Sequence, residues 1–147
     1  MFSIVIIKPD AYSKRNQILK YFENYQYEIL ADPIILTKKI VEEFYEEHKN
    51  KNFYDKLIQF MLSGNVMILK IIGEDSNIIK DIRYIVENKI RPKYGTDSTA
   101  NAIHASDSFE SAKREYDIIK KYILDRYILE HSVDVLLIDL IQELKSI

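Results

Sequence analysis

The sequence predicts an α+β domain in which a four-stranded antiparallel sheet is covered by helices. Three observations carry that expectation. Short β-branched, apolar runs alternate with stretches whose apolar residues recur at helical spacing. The 147 residues suit one domain, with 47% hydrophobic residues to close a core. Cysteine is absent, so neither disulfides nor a thiolate metal centre holds the fold together.

Residues 3–7, Ser-Ile-Val-Ile-Ile, read as a buried strand. Residues 12–25 carry Ile18, Leu19 and Phe22 on one helical face. Residues 27–37 read as a second strand, broken or bulged near Pro33. Residues 38–49 form a helix with Ile40, Val41, Phe44 and Tyr45 on one side. A shorter helix, residues 53–62, turns Leu57, Phe60 and Met61 inward. Ser63-Gly64-Asn65 is a turn before the strong strand 66–72, which Gly73 ends. Residues 77–86 make a further helix with Ile78, Ile82, Ile85 and Val86 buried. Residues 88–101 are polar and hold Pro92 and Gly95, so a loop is expected there. Residues 102–104 make a short fourth strand. Asp107, with Glu110 three places on, fits a capping box for a helix running to about Tyr122. The order β-α-β-α-α-β-α-β-α suits a ferredoxin-like sandwich with helices packed on one face of the sheet.

Residues 123–147 read as a helical extension of a domain spanning residues 1–122. Ser132 can cap a helix whose stripe is Val133, Leu136, Leu137, Leu140, Ile141 and Leu144. Such a stripe needs a surface, either its own domain or a second subunit.

The formal charge of −2 argues against a nucleic-acid binder that relies on a generally basic surface. The apolar N-terminal run is too short for a signal peptide or a membrane span. A soluble, cytoplasmic protein is the expectation. Only five of the 21 basic residues are Arg, and Arg recognises phosphate bidentately where Lys cannot.

The densest chemical run is Asn101-Ala102-Ile103-His104-Ala105-Ser106-Asp107-Ser108-Phe109-Glu110-Ser111-Ala112. Of the three His residues, His48 and His131 read as surface residues. His104 sits at the exit of a strand, between small residues and just before a helix. The run resembles the active-site segment of nucleoside diphosphate kinases, N-x-x-H-G/A-S-D-S-x-E-S-A. Lys8-Pro9-Asp10 is similar to that family's K-P-D, and Phe53 with Phe60-Met61 and Ser63-Gly64 resembles its F-F-x-x-L…S-G-P, with Asn65 in place of Pro. The likeness spans roughly residues 3–119.

The resemblance implies a phosphohistidine on His104, formed from the γ-phosphoryl of ATP or another nucleoside triphosphate and passed to a nucleoside diphosphate in ping-pong fashion. A neutral imidazole suits that chemistry, since its free pKa of ~6.5 leaves a lone pair available near neutrality. Glu115 would hold the far side of the ring and Ser106 assist. Lys8, Arg83 and Arg91 are the implied cations for the phosphates, as phosphoryl transfer needs mostly positioning and charge neutralisation. Placing Arg83 requires a two-residue insertion around Glu74–Ser76. Tyr45 would line the phosphate end, Phe53 stack on the base with Leu57 at its edge, and Asn101 contact the sugar. A ring face does not read donor and acceptor patterns, so such a site tolerates every base. No residue set suggests a protein-held metal; the Mg²⁺ expected of the family arrives with the nucleotide.

Two departures stand out. Seven residues separate Arg83 from Arg91, and none is the Thr that contacts phosphate in the family; Lys89, Lys93 or Thr96 would have to replace it. Ala100 stands where an Arg is common. The short loop removes a contact that usually helps to hold three subunits together, so a homo-oligomer is expected, a dimer first, with the tail packed on core or partner. The alternatives are a catalytically weak nucleotide-binding scaffold or regulatory module, and a ferredoxin-like domain for another small ligand. Retention of Lys8, Asn101, His104 and Glu115 favours the enzyme.

Overall fold

The structure, a computed structural model, describes residues 1–23, 27–130 and 141–146, with the backbone alone over 123–130. Its strands are β1 (Phe2–Ile7), β2 (Glu28–Ile34), β3 (Val66–Ile72) and β4 (Ile103–Ala105). Their order across the sheet is β2-β3-β1-β4, and all neighbours are antiparallel. The helices are α1 (Arg15–Glu23), α2 (Lys38–Phe44), α3 (Tyr54–Met61), α4 (Ile78–Ile85), α5 (Arg91–Tyr94) and α6 (Phe109–Glu130). A 3₁₀ segment, Pro9–Lys14, leads into α1. This is the expected ferredoxin-like arrangement, with one difference.

Helices cover both faces of the sheet, not one. Ser3, Val5 and Ile7 project to one side of β1, Ile4 and Ile6 to the other, as strand alternation requires. Val5, Ile7, Leu69 and Ile71 pack with Ile18 and Phe22 of α1 and Ile78, Ile82 and Ile85 of α4. Ile4, Ile6, Val66 and Ile68 pack with Ile40, Val41 and Phe44 of α2, Leu57, Ile58 and Met61 of α3, and Ile118 and Ile119 of α6. The signal was present in β1 itself. A strand exposed on one face alternates, whereas residues 4–7 are an unbroken apolar run, the mark of burial on both faces.

Three further expectations change. Pro33 neither breaks nor bulges β2; it pairs in register with Met67, because β2 is an edge strand and Pro is tolerated there. Residues 88–101 are not one loop. Val86–Ile90 form a π-helical turn that runs directly into α5, and Ile90 is fully buried. Pro92 lies in the first turn of α5, where its missing N–H costs nothing. The helix after β4 is capped by Ser108, whose Oγ accepts from Ser111 N at 3.0 Å, rather than by Asp107, and α6 continues past Tyr122 to Glu130.

Of the apolar tail stripe, Val133, Leu136, Leu137 and Leu140 lie outside the described residues, as do His131 and Ser132. Ile141 is exposed, while Leu144 lines an apolar cleft with Leu30, Ile34, Ile68 and Ile119. Among the described residues no helix is long and apolar enough to cross a membrane.

Candidate active site

The site grows from the end of β1 and from β4 beside it. His104 pairs with Ile6 across the ladder. Ile103 and Ala105 are buried in the α1–α4 core. Alternation therefore sends the His104 side chain to the opposite face, toward α2 and α6. There His104 Nε2 lies 3.1 Å from Glu115 Oε1. Glu115 is only 4% exposed, and the same oxygen accepts from Ser106 Oγ at 2.7 Å. Ser106 Oγ in turn accepts from Ile4 N at 2.9 Å, which ties Glu115 to the central strand. A carboxylate only accepts, so it selects the tautomer protonated at Nε2. Nδ1 then keeps its lone pair and has no protein partner among the described residues. Phe44 and Tyr45 brace the ring edge-on, at 5.1 and 6.4 Å between centroids.

Among the described residues no further strand pairs with the outer edge of β4, and arginines take its carbonyls instead. Arg83 donates to Ala105 O at 3.1 Å, and Arg91 donates to Ile103 O at 3.1 Å. The two residues flanking His104 thus each anchor a guanidinium, and Glu87 pairs with Arg83 from the other side. Burial, then the nearby Arg83 charge, lowers the pKa of Arg91, with Glu87 opposing.

Lys8 leaves the end of β1 and is 5% exposed. Its Nζ donates to Asn101 Oδ1 at 2.7 Å. Burial is the main reason its pKa falls to about 8, followed by the charge of Arg91; Asp10 and Asp97 oppose. Asn101 and Ala102 form a tight turn before β4. Ile103 N donates to Asn101 O at 3.0 Å across Ala102, whose φ is 76°. That left-handed conformation costs an L-residue on the order of 1–3 kcal/mol. Gly95 lies against the same turn; a Cβ there would meet Arg91 O at 2.8 Å and Asn101 Cα at 3.1 Å. Only glycine lets the two backbones approach so closely.

A wall of rings extends from His104. Tyr45 is 7% exposed and stacks on His48 at 6.3 Å; His48 meets Phe53 at 5.4 Å. Phe53 is 43% exposed, the most open ring of the three. Leu57, one helical turn below it, is buried in the core.

Most residues singled out from the sequence therefore converge: Lys8, Tyr45, Arg83, Arg91, Asn101, His104, Ser106 and Glu115 are linked by direct contacts or shared neighbours. The candidates to replace the missing Thr do not converge. Lys89 and Thr96 are exposed, and Lys93 lies over the ring of Tyr94, 5.4 Å from its centroid. His48 is no ordinary surface residue, since it is half-buried between two rings and its Nδ1 is buried without a partner. Asp10 was also missed as a functional candidate. It accepts from Ala102 N at 3.0 Å, and its sequence signal was its place in the Lys8-Pro9-Asp10 run.

Comparison with known proteins points to a family. The family profile described as nucleoside diphosphate kinase matches residues 2–122. The nucleoside diphosphate kinase of Methanocaldococcus jannaschii is 37% identical, over 81% of this chain and 92% of that protein. The one from Methanococcus maripaludis is 38% identical, over 79% and 95%. In three dimensions the Aquifex aeolicus nucleoside diphosphate kinase superposes with a TM-score of 0.69 at 36% identity, covering 80% of this chain and 93% of that one. Sequence and fold agree over the stretch that holds the His104 constellation, and the chain belongs to the nucleoside diphosphate kinase family, enzymes of phosphoryl transfer between nucleotides.

Proposed function

We propose that His104 takes the γ-phosphoryl group of a nucleoside triphosphate on Nδ1 and returns it to a nucleoside diphosphate. The observation that carries this reading is the Glu115–His104 contact, which leaves a single ring nitrogen with a free lone pair. Attack forms the N–P bond as the bond from phosphorus to the β,γ-bridging oxygen breaks, and the diphosphate leaves. In the second half the incoming diphosphate oxygen attacks and the N–P bond breaks. Glu115 steadies the ring as its charge rises, and Ser106 fixes Glu115. Lys8, Arg83 and Arg91 neutralise the phosphates, which is most of what such a transfer requires.

Asn101 would contact the sugar, with Lys8 holding its amide oxygen. Tyr45 closes the phosphate end and Phe53 offers a face to the base, with Leu57 supporting its helix from the core. Among the described residues no cluster of carboxylates or imidazoles would hold a metal alone. We read Mg²⁺ as an ion that the nucleotide's own phosphates would chelate, where it would neutralise their charge. We also read the chain as a cytoplasmic homo-oligomer, with residues 123–147 as an extension of the catalytic domain 1–122.

Brief exposure to ATP labelled in the γ-phosphate tests the reading. Label on the protein that survives alkali, is lost in acid and is released by a nucleoside diphosphate is the expected result. His104→Ala should take up none. Equal labelling of that variant would assign the nucleophile elsewhere.

A further inference from the structure

The strained turn beside His104 is held from one side by the segment that follows β1. Lys8 N donates to Ala102 O at 2.8 Å, and Asp10 Oδ2 accepts from Ala102 N at 3.0 Å. Both backbone groups of the residue with positive φ are therefore gripped by residues two positions apart in the chain, some 92 residues away in sequence. The Ala102 side chain is fully buried, so no surface group competes for its place. Of the two grips, that of Lys8 belongs to the backbone and survives any side-chain change. That of Asp10 depends on a side chain, the carboxylate of an exposed residue in the first turn of the 3₁₀ segment.

We propose that Asp10 is a positioning residue for catalysis: its carboxylate holds the Ala102 amide so that the turn stays left-handed and delivers Asn101 and His104 in register with Lys8. Without it the peptide before Ala102 is free to turn toward the relaxed right-handed or extended conformations that an L-residue prefers. Rotation there swings the Asn101 side chain away from Lys8 and shifts the start of β4, one residue before His104. A displacement on the order of 1 Å at a reacting group can cost about 10²-fold in rate. The proposal rests on His104 being the nucleophile, but its structural half does not.

Three variants separate positioning from general stability. Asp10→Ala should lower kcat by roughly 10- to 100-fold with little change in Tm, and should speed hydrogen exchange at the Ala102 amide. Asp10→Asn keeps an oxygen that accepts the amide, so its loss of kcat should be several-fold smaller. The double variant Asp10→Ala/Ala102→Gly should recover much of the lost rate, because glycine adopts positive φ without the steric cost. Parental kcat in Asp10→Ala, Asn performing no better than Ala, or no recovery with glycine would each overturn the proposal. Exchange at Ala102 is read without any turnover. If no phosphoenzyme forms in the parent, the nucleophile assignment fails while faster exchange still supports the grip; unchanged exchange sinks the grip itself.

Discussion

The two ends of the site are built in different ways. Around His104 nearly every polar atom is fixed by a partner far away in sequence: Lys8 to Asn101, Asp10 to Ala102, Ser106 to Ile4, Arg83 and Arg91 to β4 carbonyls. At Phe53 the structure offers rings leaning on rings, with the outermost ring 43% exposed. The contrast fits the work proposed for each end. Transfer to a nitrogen requires donors already aimed where charge collects, since reorganising them during reaction would raise the barrier. Holding any base requires only a flat apolar face, and stacking tolerates small rotations.

If that division is right, changes at the His104 end should reduce turnover, and changes at the ring wall should weaken binding alone. The largest effect in this series is expected at Arg91. Its guanidinium reaches Ile103 O through both Nε and a terminal nitrogen, a geometry a lysine ammonium does not reproduce. Arg91→Lys should lose roughly 1.5–3 kcal/mol of transition-state stabilisation, about 10- to 150-fold in kcat/KM. Steady-state kinetics with ATP and a diphosphate acceptor would check this. An unchanged kcat/KM would mean that Arg91 only props up β4.

Lys8 gives the same comparison a pH axis. Its pKa lies near 8 because burial and Arg91 disfavour its charge, and a neutral amine attracts phosphate poorly. The folded-state pKa is below that of the unfolded chain, so between about 8 and 10.5 the unfolded chain binds more protons. Stability therefore gains from this group as pH rises through that window, while phosphate binding declines. The free-enzyme profile of kcat/KM should fall above about pH 8, approaching tenfold per pH unit, while Tm shows no matching loss from this residue. A flat profile to pH 9.5 would show that Lys8 stays charged or is not needed.

The legibility of the sequence divides along the same line. The His104 end was readable because its residues sit in short, specific runs that resemble one family's active-site segments. What escaped there was backbone geometry: nothing in Asn101-Ala102-Ile103 announces a positive φ, so the purpose of Asp10 stayed hidden. The segment 88–101 was misread for a related reason. Pro92 and Gly95 signal a loop in isolation, but Pro fits the first turn of a helix, and buried Ile90 pulls the chain into a π turn. Helices on both faces were legible in the unbroken apolar β1, yet topology alone suggested one. At the ring wall the sequence showed His48 in a charged helix. Its true position depends on α2 ending at Phe44, after which the 3₁₀ turn Glu46–His48 rolls the ring inward between Tyr45 and Phe53.

The ring wall supplies the smaller effects, and they should be effects on KM. Phe53→Ala removes the open face and should weaken every nucleotide by a similar factor, about 5- to 150-fold from a stacking worth of ~1–3 kcal/mol, with kcat within about twofold. A loss confined to one base would mean that the ring reads an edge and does not merely stack. His48→Ala is the subtler test. The imidazole touches no reacting atom, but it is the spacer between Tyr45 and Phe53, at 6.3 and 5.4 Å from their centroids. Removing it leaves Tyr45 seated, since that ring is also held by Phe44 at 5.1 Å. Phe53 has no second ring within contact among the described residues, only Lys51 Nζ at 5.8 Å, so it alone gains freedom. The expected result is a rise in KM of about two- to fivefold for all nucleotides, the cost of ordering one loosened side chain at ~0.5–1 kcal/mol, with the phosphoenzyme formed at the parental rate under saturating ATP. A fall in that rate would show that the rings transmit strain to His104, and the division between the two ends would be wrong.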